Sequence, residues 1–296
     1  MTSSIKTLLV TGASSGIGRA TALRLARHGW RVFAAVRKHT DAKELEAEAK
    51  GALETLRIDV ADRDSVHSAA GEVETRLEGC GLDGLFNNAG IGLTSPVEHT
   101  PPATLRRIFE INLFGQIDVI QAFLPLIRRA RGRIINAGSV VDYLTPPFAG
   151  ALASSKAALA SMSAALRLEL RPQGIHVCLI EPGSINTPGV EKMLGGVEET
   201  IAALPPEAAR LYAEAMRRMA QTFARNEHAG SPPEVVAEVV ERALSDRHPK
   251  TRYAAGKDSL KLTMLARLLP EKLLDIAILK TLGLPTALAP PRPASA

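Results

Sequence analysis

The sequence predicts an α/β fold: a doubly wound parallel sheet in a single domain, with a helical C-terminal extension. Three observations carry that prediction. Short apolar runs alternate with helical patterns from the first residues onward. A glycine-rich turn, Thr11-Gly12-Ala13-Ser14-Ser15-Gly16-Ile17-Gly18, joins the first apolar run to the first helical one. The connections between successive runs are helix-length, as right-handed crossovers between parallel strands require.

Taken in order, Thr7 to Val10 reads as the first strand and Ile17 to Arg27 as a helix closed by Gly29. Arg31 to Val36 is the second strand, followed by a polar helix from Asp41 to Ala49 and a strand at Thr55 to Ile58. A helix after Asp62 leads to a strand at Leu82 to Phe86. One long helix is then expected from Pro102 past Leu113, with Pro125 near its end, before the buried strand Arg133 to Ala137. A second long helix, Gly150 to Leu170, leads to a strand at His176 to Ile180. Regularity breaks after Gly183: about 187 to 228 is helical, Pro232 and Pro233 start a helix through Leu244, and Thr251 to Ala255 is a last strand. Residues 1–256 are therefore expected to form the main α/β domain, including a helical segment at about 188–230. Residues 257–296 form two short amphipathic helices split by Pro270 and a Pro-rich, disordered end.

Composition narrows the class. The net charge of +5 comes from dispersed arginines, without the basic run and interleaved aromatics of a nucleic-acid surface. The two cysteines, Cys80 and Cys178, make no metal spacing or disulfide framework, and the seven histidines are scattered. No metal is expected, and the location is expected to be cytoplasmic, with no cleaved signal and no membrane-spanning run.

The glycine-rich turn carries the first chemistry. Glycines let the backbone approach a pyrophosphate, whose charge the amides of the helix N-terminus stabilise, so a dinucleotide should lie over Gly12, Ser14, Ser15, Gly16, Ile17 and Gly18. The tip of the second strand selects which one. A carboxylate there would accept from the adenosine 2′-hydroxyl of NAD; Ala35-Val36-Arg37-Lys38 offers Arg37 and Lys38 instead, which suit the 2′-phosphate of NADP(H).

With these motifs in place, about the first 190 residues resemble the short-chain dehydrogenase/reductase family, and the long C-terminal extension is similar to its steroid and retinol dehydrogenase branch. The resemblance implies a Rossmann fold and an oxidoreductase. It implies cofactor contacts at Asp59 and Val60 after the third strand, and at Asn87, Ala89 and Gly90 in Asn-Asn-Ala-Gly. Further cofactor contacts fall on Lys156, Pro182, Gly183, Ile185 and Thr187. The family's catalytic asparagine, serine and lysine fall on Asn112, Ser139 and Lys156. Its catalytic tyrosine, thirteen residues after the serine and four before the lysine, falls on Leu152.

In the family a phenol four residues before the lysine shares its helix face, so the ammonium lowers the phenol pKa toward working pH. The phenol moves the proton, serine orients the substrate oxygen, lysine also holds the nicotinamide ribose, and asparagine supports a water-linked proton path. Leucine keeps helix and bulk but moves no proton. The candidate substitutes are Tyr143, four residues after Ser139, Lys156 itself or Ser139 as a relay, while the neighbouring Asp142 is expected to be an exposed loop carboxylate.

Val141, Tyr143, Leu144, Phe148 and Leu152 are expected to wall a pocket for a small apolar alcohol or carbonyl substrate. The leucine-rich tail helices would cover that pocket or join an interface; a membrane surface is a less favoured partner. The two long helices resemble those through which family members form homodimers or homotetramers. Besides an NADP(H)-dependent oxidoreductase with altered proton transfer, the sequence admits a catalytically silent NADP(H)-binding or scaffold protein and a non-redox enzyme using the same pocket.

Overall fold

A computed structural model describes residues 5–49 and 53–286. Seven strands form one parallel sheet in the order β3-β2-β1-β4-β5-β6-β7. They are β1 (Thr7–Val10), β2 (Arg31–Val36), β3 (Leu53–Arg57), β4 (Gly84–Asn87), β5 (Arg133–Ala137), β6 (His176–Pro182) and β7 (Arg252–Ala255). Strand order reverses between β1 and β4, and in such sheets ligands bind at the carboxyl ends of the strands flanking that point.

Alternation along the strands builds the two faces of the core. Leu8, Val10, Val32, Ala34, Phe86 and Ile135 pack on one side with α1 (Gly16–Arg27) and α9 (Pro233–Ser245). Leu9, Phe33, Leu85 and Ile134 pack on the other with α3 (Arg63–Arg76), α5 (Gly115–Ala130) and α6 (Gly150–Leu170). The remaining helices are α2 (His39–Ala49), α4 (Pro102–Phe109), α7 (Gly189–Ala202), α8 (Pro206–His228), α10 (Ser259–Leu268) and α11 (Glu271–Thr281). Asp62 caps α3, accepting from the amides of Asp64 and Ser65 at 3.0 and 3.2 Å, which is why that helix begins where it does.

Three expectations are corrected. β4 starts at Gly84, because the Leu82 amide is drawn to the Leu126 carbonyl of α5 at 3.0 Å and leaves the ladder. β3 starts two residues earlier than expected, at Leu53. The helix expected from Pro102 onward is broken by one π turn, Glu110–Phe114, between α4 and α5. A Cβ on Gly115 would overlap the Val60 carbonyl oxygen, so the chain passes the segment after β3 at backbone distance there, and the wider turn accommodates the crossing.

Residues 189–228 form a helical hairpin, α7 against α8, with its own core of Val197, Ile201, Met216 and Ala220. Phe148 packs on that core in a left-handed backbone conformation (φ 66°), its ring edge-on to Tyr212 at 6.0 Å. α10 rests on β7 and the turn at 140–142. The apolar side chains of Leu260, Met264, Leu268, Leu273 and Ile276 on α10 and α11 are exposed, so the tail helices leave part of their apolar stripe uncovered within this chain. The Pro-rich end at 290–293 lies outside the described residues.

Candidate active site

The carboxyl ends of β1, β4, β5 and β6 converge on one cleft. Gly12 (φ 65°) and Gly16 (φ 54°) occupy left-handed conformations that side chains resist. A Cβ on Gly12 would stand 2.9 Å from the Ala89 Cα, and one on Gly16 would stand 3.3 Å from the Thr187 side chain. The loop after β1, the Asn-Asn-Ala-Gly segment and the segment after β6 therefore meet at contact distance. The Thr11 hydroxyl locks two of them together by accepting from the amides of Asn88 (2.8 Å) and Ala89 (3.1 Å).

α1 opens on this cleft with Ser15 at its N-cap position. The Ser15 hydroxyl makes no capping bond, and no acidic residue lies in the first turn. Free amides at a helix N-terminus beside a glycine cradle fit a dinucleotide pyrophosphate. Gly12, Ser14, Ser15, Gly16, Ile17 and Gly18 would hold it there, and a nicotinamide cofactor would supply hydride transfer. A Cβ on Gly18 would overlap the Gly12 carbonyl oxygen and stand 2.6 Å from Asn88 Nδ2. Gly18→Ala should therefore distort the cradle and weaken dinucleotide binding by an order of magnitude or more, as measured by fluorescence titration, with the far-UV spectrum intact. Unchanged affinity would mean that the pyrophosphate sits elsewhere.

Asp59 and Val60 follow β3; the Asp59 carboxylate accepts from the Ala61 amide at 3.0 Å, which shapes the turn. The Asn87 side chain does not reach the cleft. It is buried and donates to the Gln116 carbonyl at 2.8 Å, because α5 packs over the end of β4. Gly183 approaches Asp258, whose carboxylate holds the Ser184 amide (3.0 Å) and hydroxyl (2.6 Å). The Ile185 amide donates to Glu227 Oε2 at 2.9 Å; burial raises that carboxyl to about 7. Pro182, Gly183, Ile185 and Thr187 are thereby held along the cleft.

Asn112 sits in the π turn. Its amide exchanges two bonds with the Ile91 backbone, both 2.8 Å, and donates to the Ser155 hydroxyl at 3.0 Å. Lys156 Nζ donates to the Ala137 carbonyl at 2.6 Å. A Cβ on Gly90 would stand 3.3 Å from Asn112 Oδ1 and 3.7 Å from Lys156 Nζ, so these two side chains share one corner of the site. Ser139, partly exposed at the end of β5, accepts from the Val141 amide at 3.3 Å. Leu152, one turn before Lys156 on α6, faces Gly92, where a Cβ would lie 3.7 Å from its Cδ2. Asn112 and Lys156 thus meet at one corner, Ser139 stands two residues beyond the carbonyl that holds Lys156, and Leu152 lies one turn before the lysine. Burial lowers the Lys156 pKa, and the Asp142 carboxylate opposes that shift.

Two expectations about the next turn fail. Tyr143 is not free to replace the phenol. Its ring lies between the guanidinium groups of Arg252 (5.1 Å) and Arg267 (4.6 Å), and its hydroxyl accepts from Arg267 Nη2 at 2.5 Å. α10 thus engages both its ring and its hydroxyl through Arg267. Asp142 is not an exposed carboxylate. Its side chain is 2% exposed, because the turn at 140–142 folds it under β5 toward Glu181 on β6 and Arg252 on β7. Burial raises its carboxyl to about 7, against the opposing pull of Lys156. Val141, Leu144 and Leu152 are each partly exposed, while Phe148 packs on the α7–α8 hairpin.

Sequence reasoning missed Gln116, Glu181, Glu227, Arg252 and Asp258. None lies in a motif, and each acts by meeting a segment distant in the chain. Among the described residues no group of three or more His, Cys, Asp or Glu side chains is placed to hold a metal.

Comparison with known proteins agrees with this geometry. A family model described as short chain dehydrogenase matches residues 6–195. The chain belongs to the short-chain dehydrogenase family. As a member of it, the protein is an oxidoreductase with a nicotinamide-cofactor site on a Rossmann-type sheet. It is similar to human retinol dehydrogenase 5, with 35% identity over 277 residues, 92% of this chain and 87% of that one. It is also similar to an NADPH-dependent 3-dehydrocapnine reductase of Ornithobacterium rhinotracheale, with 33% identity over 279 residues, 93% and 96% of the two chains. Among solved structures it resembles a short-chain dehydrogenase from Streptomyces avermitilis, with a TM-score of 0.74, 28% identity, and coverage of 89% of this chain and 92% of that one.

Proposed function

We propose that this family member is an NADP(H)-dependent oxidoreductase acting on an apolar alcohol or carbonyl compound, with proton delivery that does not pass through a phenol. The observation that carries the cofactor reading is the tip of β2. The Ala13 amide donates to the Ala35 carbonyl at 3.0 Å, so the glycine loop leans on that tip. Arg37 and Lys38 follow it, exposed and without an ion-pair partner among the described residues. Two free cations and no carboxylate favour a 2′-phosphate. The similar 3-dehydrocapnine reductase, NADPH-dependent by name, supports the same choice.

Arg37→Asp tests it. Loss of charge-assisted bonds to the phosphate should weaken NADPH about 10- to 100-fold and leave NADH affinity unchanged or improved, as read by calorimetry. NADPH affinity equal to that of the native protein would sink the reading.

For the substrate, the wall of Val141, Leu144 and Leu152 and the Phe148-anchored hairpin favour an apolar molecule, as does similarity to a retinol dehydrogenase. A cytoplasmic homo-oligomer fits the free cysteines and the exposed Phe114, Met162 and Leu168 on the long-helix faces. No described helix is long and apolar enough to cross a membrane. Leu152 favours one second reading, a catalytically silent cofactor-binding protein. Turnover of NADPH with a panel of apolar ketones and aldehydes separates the two.

A further inference from the structure

Beneath the cleft lies a group of charges that the family's proton relay does not use. Asp142 hangs from the turn after β5 with both carboxyl oxygens buried and neither hydrogen-bonded. Its Oδ2 lies so near Gly138 that a Cβ there would stand 2.9 Å away. Gly138 is the residue after Ala137, whose carbonyl holds Lys156 Nζ at 2.6 Å. Acid and ammonium therefore flank one short stretch at the end of β5.

The other charges facing Asp142 are already matched. Arg252 on β7 stands 3.9 Å from Asp142 Oδ2, but its guanidinium is hydrogen-bonded to Glu181 on β6. Tyr143 stacks on Arg252, and Arg267 of α10 closes over Tyr143. Two cations, Lys156 and Arg252, thus face two acids, Asp142 and Glu181. Glu181 is committed to Arg252, which leaves Asp142 as the charge available to Lys156. On the cleft side position 152 offers Lys156 no anion, because leucine cannot ionise.

We propose that Asp142 is the counter-charge of Lys156, a positioning residue that keeps the Lys156 ammonium protonated where, with no phenol at position 152, a substrate oxygen would take its proton. An unpartnered buried carboxyl has a clear reason to be present on this reading. Its ionised form is disfavoured by burial and favoured by the ammonium, so each group holds the other's charge. The upward displacement of the Asp142 pKa to about 7 agrees with a carboxyl that ionises only with help from its cationic neighbours.

The inference rests on the oxidoreductase reading for its function, but its test does not require turnover. In protein labelled with ¹³C at lysine Cε, the Lys156 resonance is assigned by its loss in Lys156→Arg and titrated in the native chain, in Asp142→Asn and in Glu181→Gln. Asp142→Asn should lower the Lys156 pKa by about one unit or more, and Glu181→Gln should leave it in place. The native resonance should also show a second, smaller inflection where Asp142 ionises, a readout that needs no folded variant. If NADPH turnover is measurable, the alkaline limb of kcat should move down with the Lys156 pKa. An unchanged Lys156 titration in folded Asp142→Asn, or a native curve without the second inflection, overturns the proposal. Failure to bind NADPH would overturn the NADP(H) reading and leave the titration result standing.

Discussion

Leu152→Tyr is expected to raise carbonyl reduction by roughly 10²- to 10⁴-fold, the usual contribution of a positioned general acid. The reasons are local. Position 152 lies one turn before Lys156 on α6, and side chains four apart on a helix share a face. A phenol there would project toward Gly92 as the leucine does, beside a lysine held by Ala137 and an asparagine held by Ile91. The ammonium would favour the phenolate and draw the phenol pKa down. Single-turnover oxidation of bound NADPH, with native protein and variant side by side against one panel of ketones and aldehydes, measures the gain. If the variant binds NADPH as tightly as the native protein yet reduces nothing, the cleft is not arranged for carbonyl chemistry and the silent-binder reading takes its place. If native turnover is already as fast as the variant's, a group other than a phenol carries the proton at full efficiency.

The second large effect is on stability and has the opposite sense from most losses of a buried charge. The Asp142 carboxyl stands at about 7 in the folded chain against an ordinary 3.8. Unfolded chain therefore gives up this proton near pH 4, whereas folded chain keeps it to about pH 7, and folding takes up a proton in between. Stability linked to the site is complete below pH 4 and falls as the pH rises through 4 to 7. The full loss is at most about 4 kcal/mol by pH 8, taking 1.36 kcal/mol per pKa unit. Asp142→Asn has nothing to ionise, so it should be more stable than native protein at pH 8 by up to that amount and about equal at pH 4. Urea unfolding at pH 4, 6 and 8 tests this. Parallel pH profiles for the two proteins would show that Asp142 ionises without cost and is not the buried group its surroundings imply. Increased stability paired with a lower Lys156 pKa would be the expected trade between stability and a poised site.

Much of the frame was legible in the chain alone. β1, β2, β5 and α6 occupy the ranges that apolar runs and helix periodicity assign to them, because a strand buried on both faces must be continuously apolar and a long helix must repeat near every fourth residue. The turn Thr11–Gly18 pointed to a nucleotide cradle, since glycine adopts the left-handed conformations at Gly12 and Gly16 without the steric cost a side chain meets. Asn112, Ser139, Leu152 and Lys156 were singled out by the resemblance to the family's catalytic positions. The π turn at Glu110–Phe114 was not legible. It arises where Gly115 crosses Val60, and that encounter between distant segments leaves no periodic trace.

By itself, then, the sequence determined the parallel sheet, the glycine cradle, the cations at the tip of β2 and the leucine one turn before Lys156. Each of these is a property of residue type at a position along one local segment. Only the tertiary structure decided which groups beside Ser139 are free and which are engaged. Asp142 and Tyr143 are neighbours in a turn that reads as exposed loop, and their fates were set by β6, β7 and α10 arriving from far along the chain. Glu181 and Arg252 close over the one and Arg267 pins the other. Burial and charge pairing between remote elements depend on where the chain folds back, and a linear pattern of residues carries no record of that.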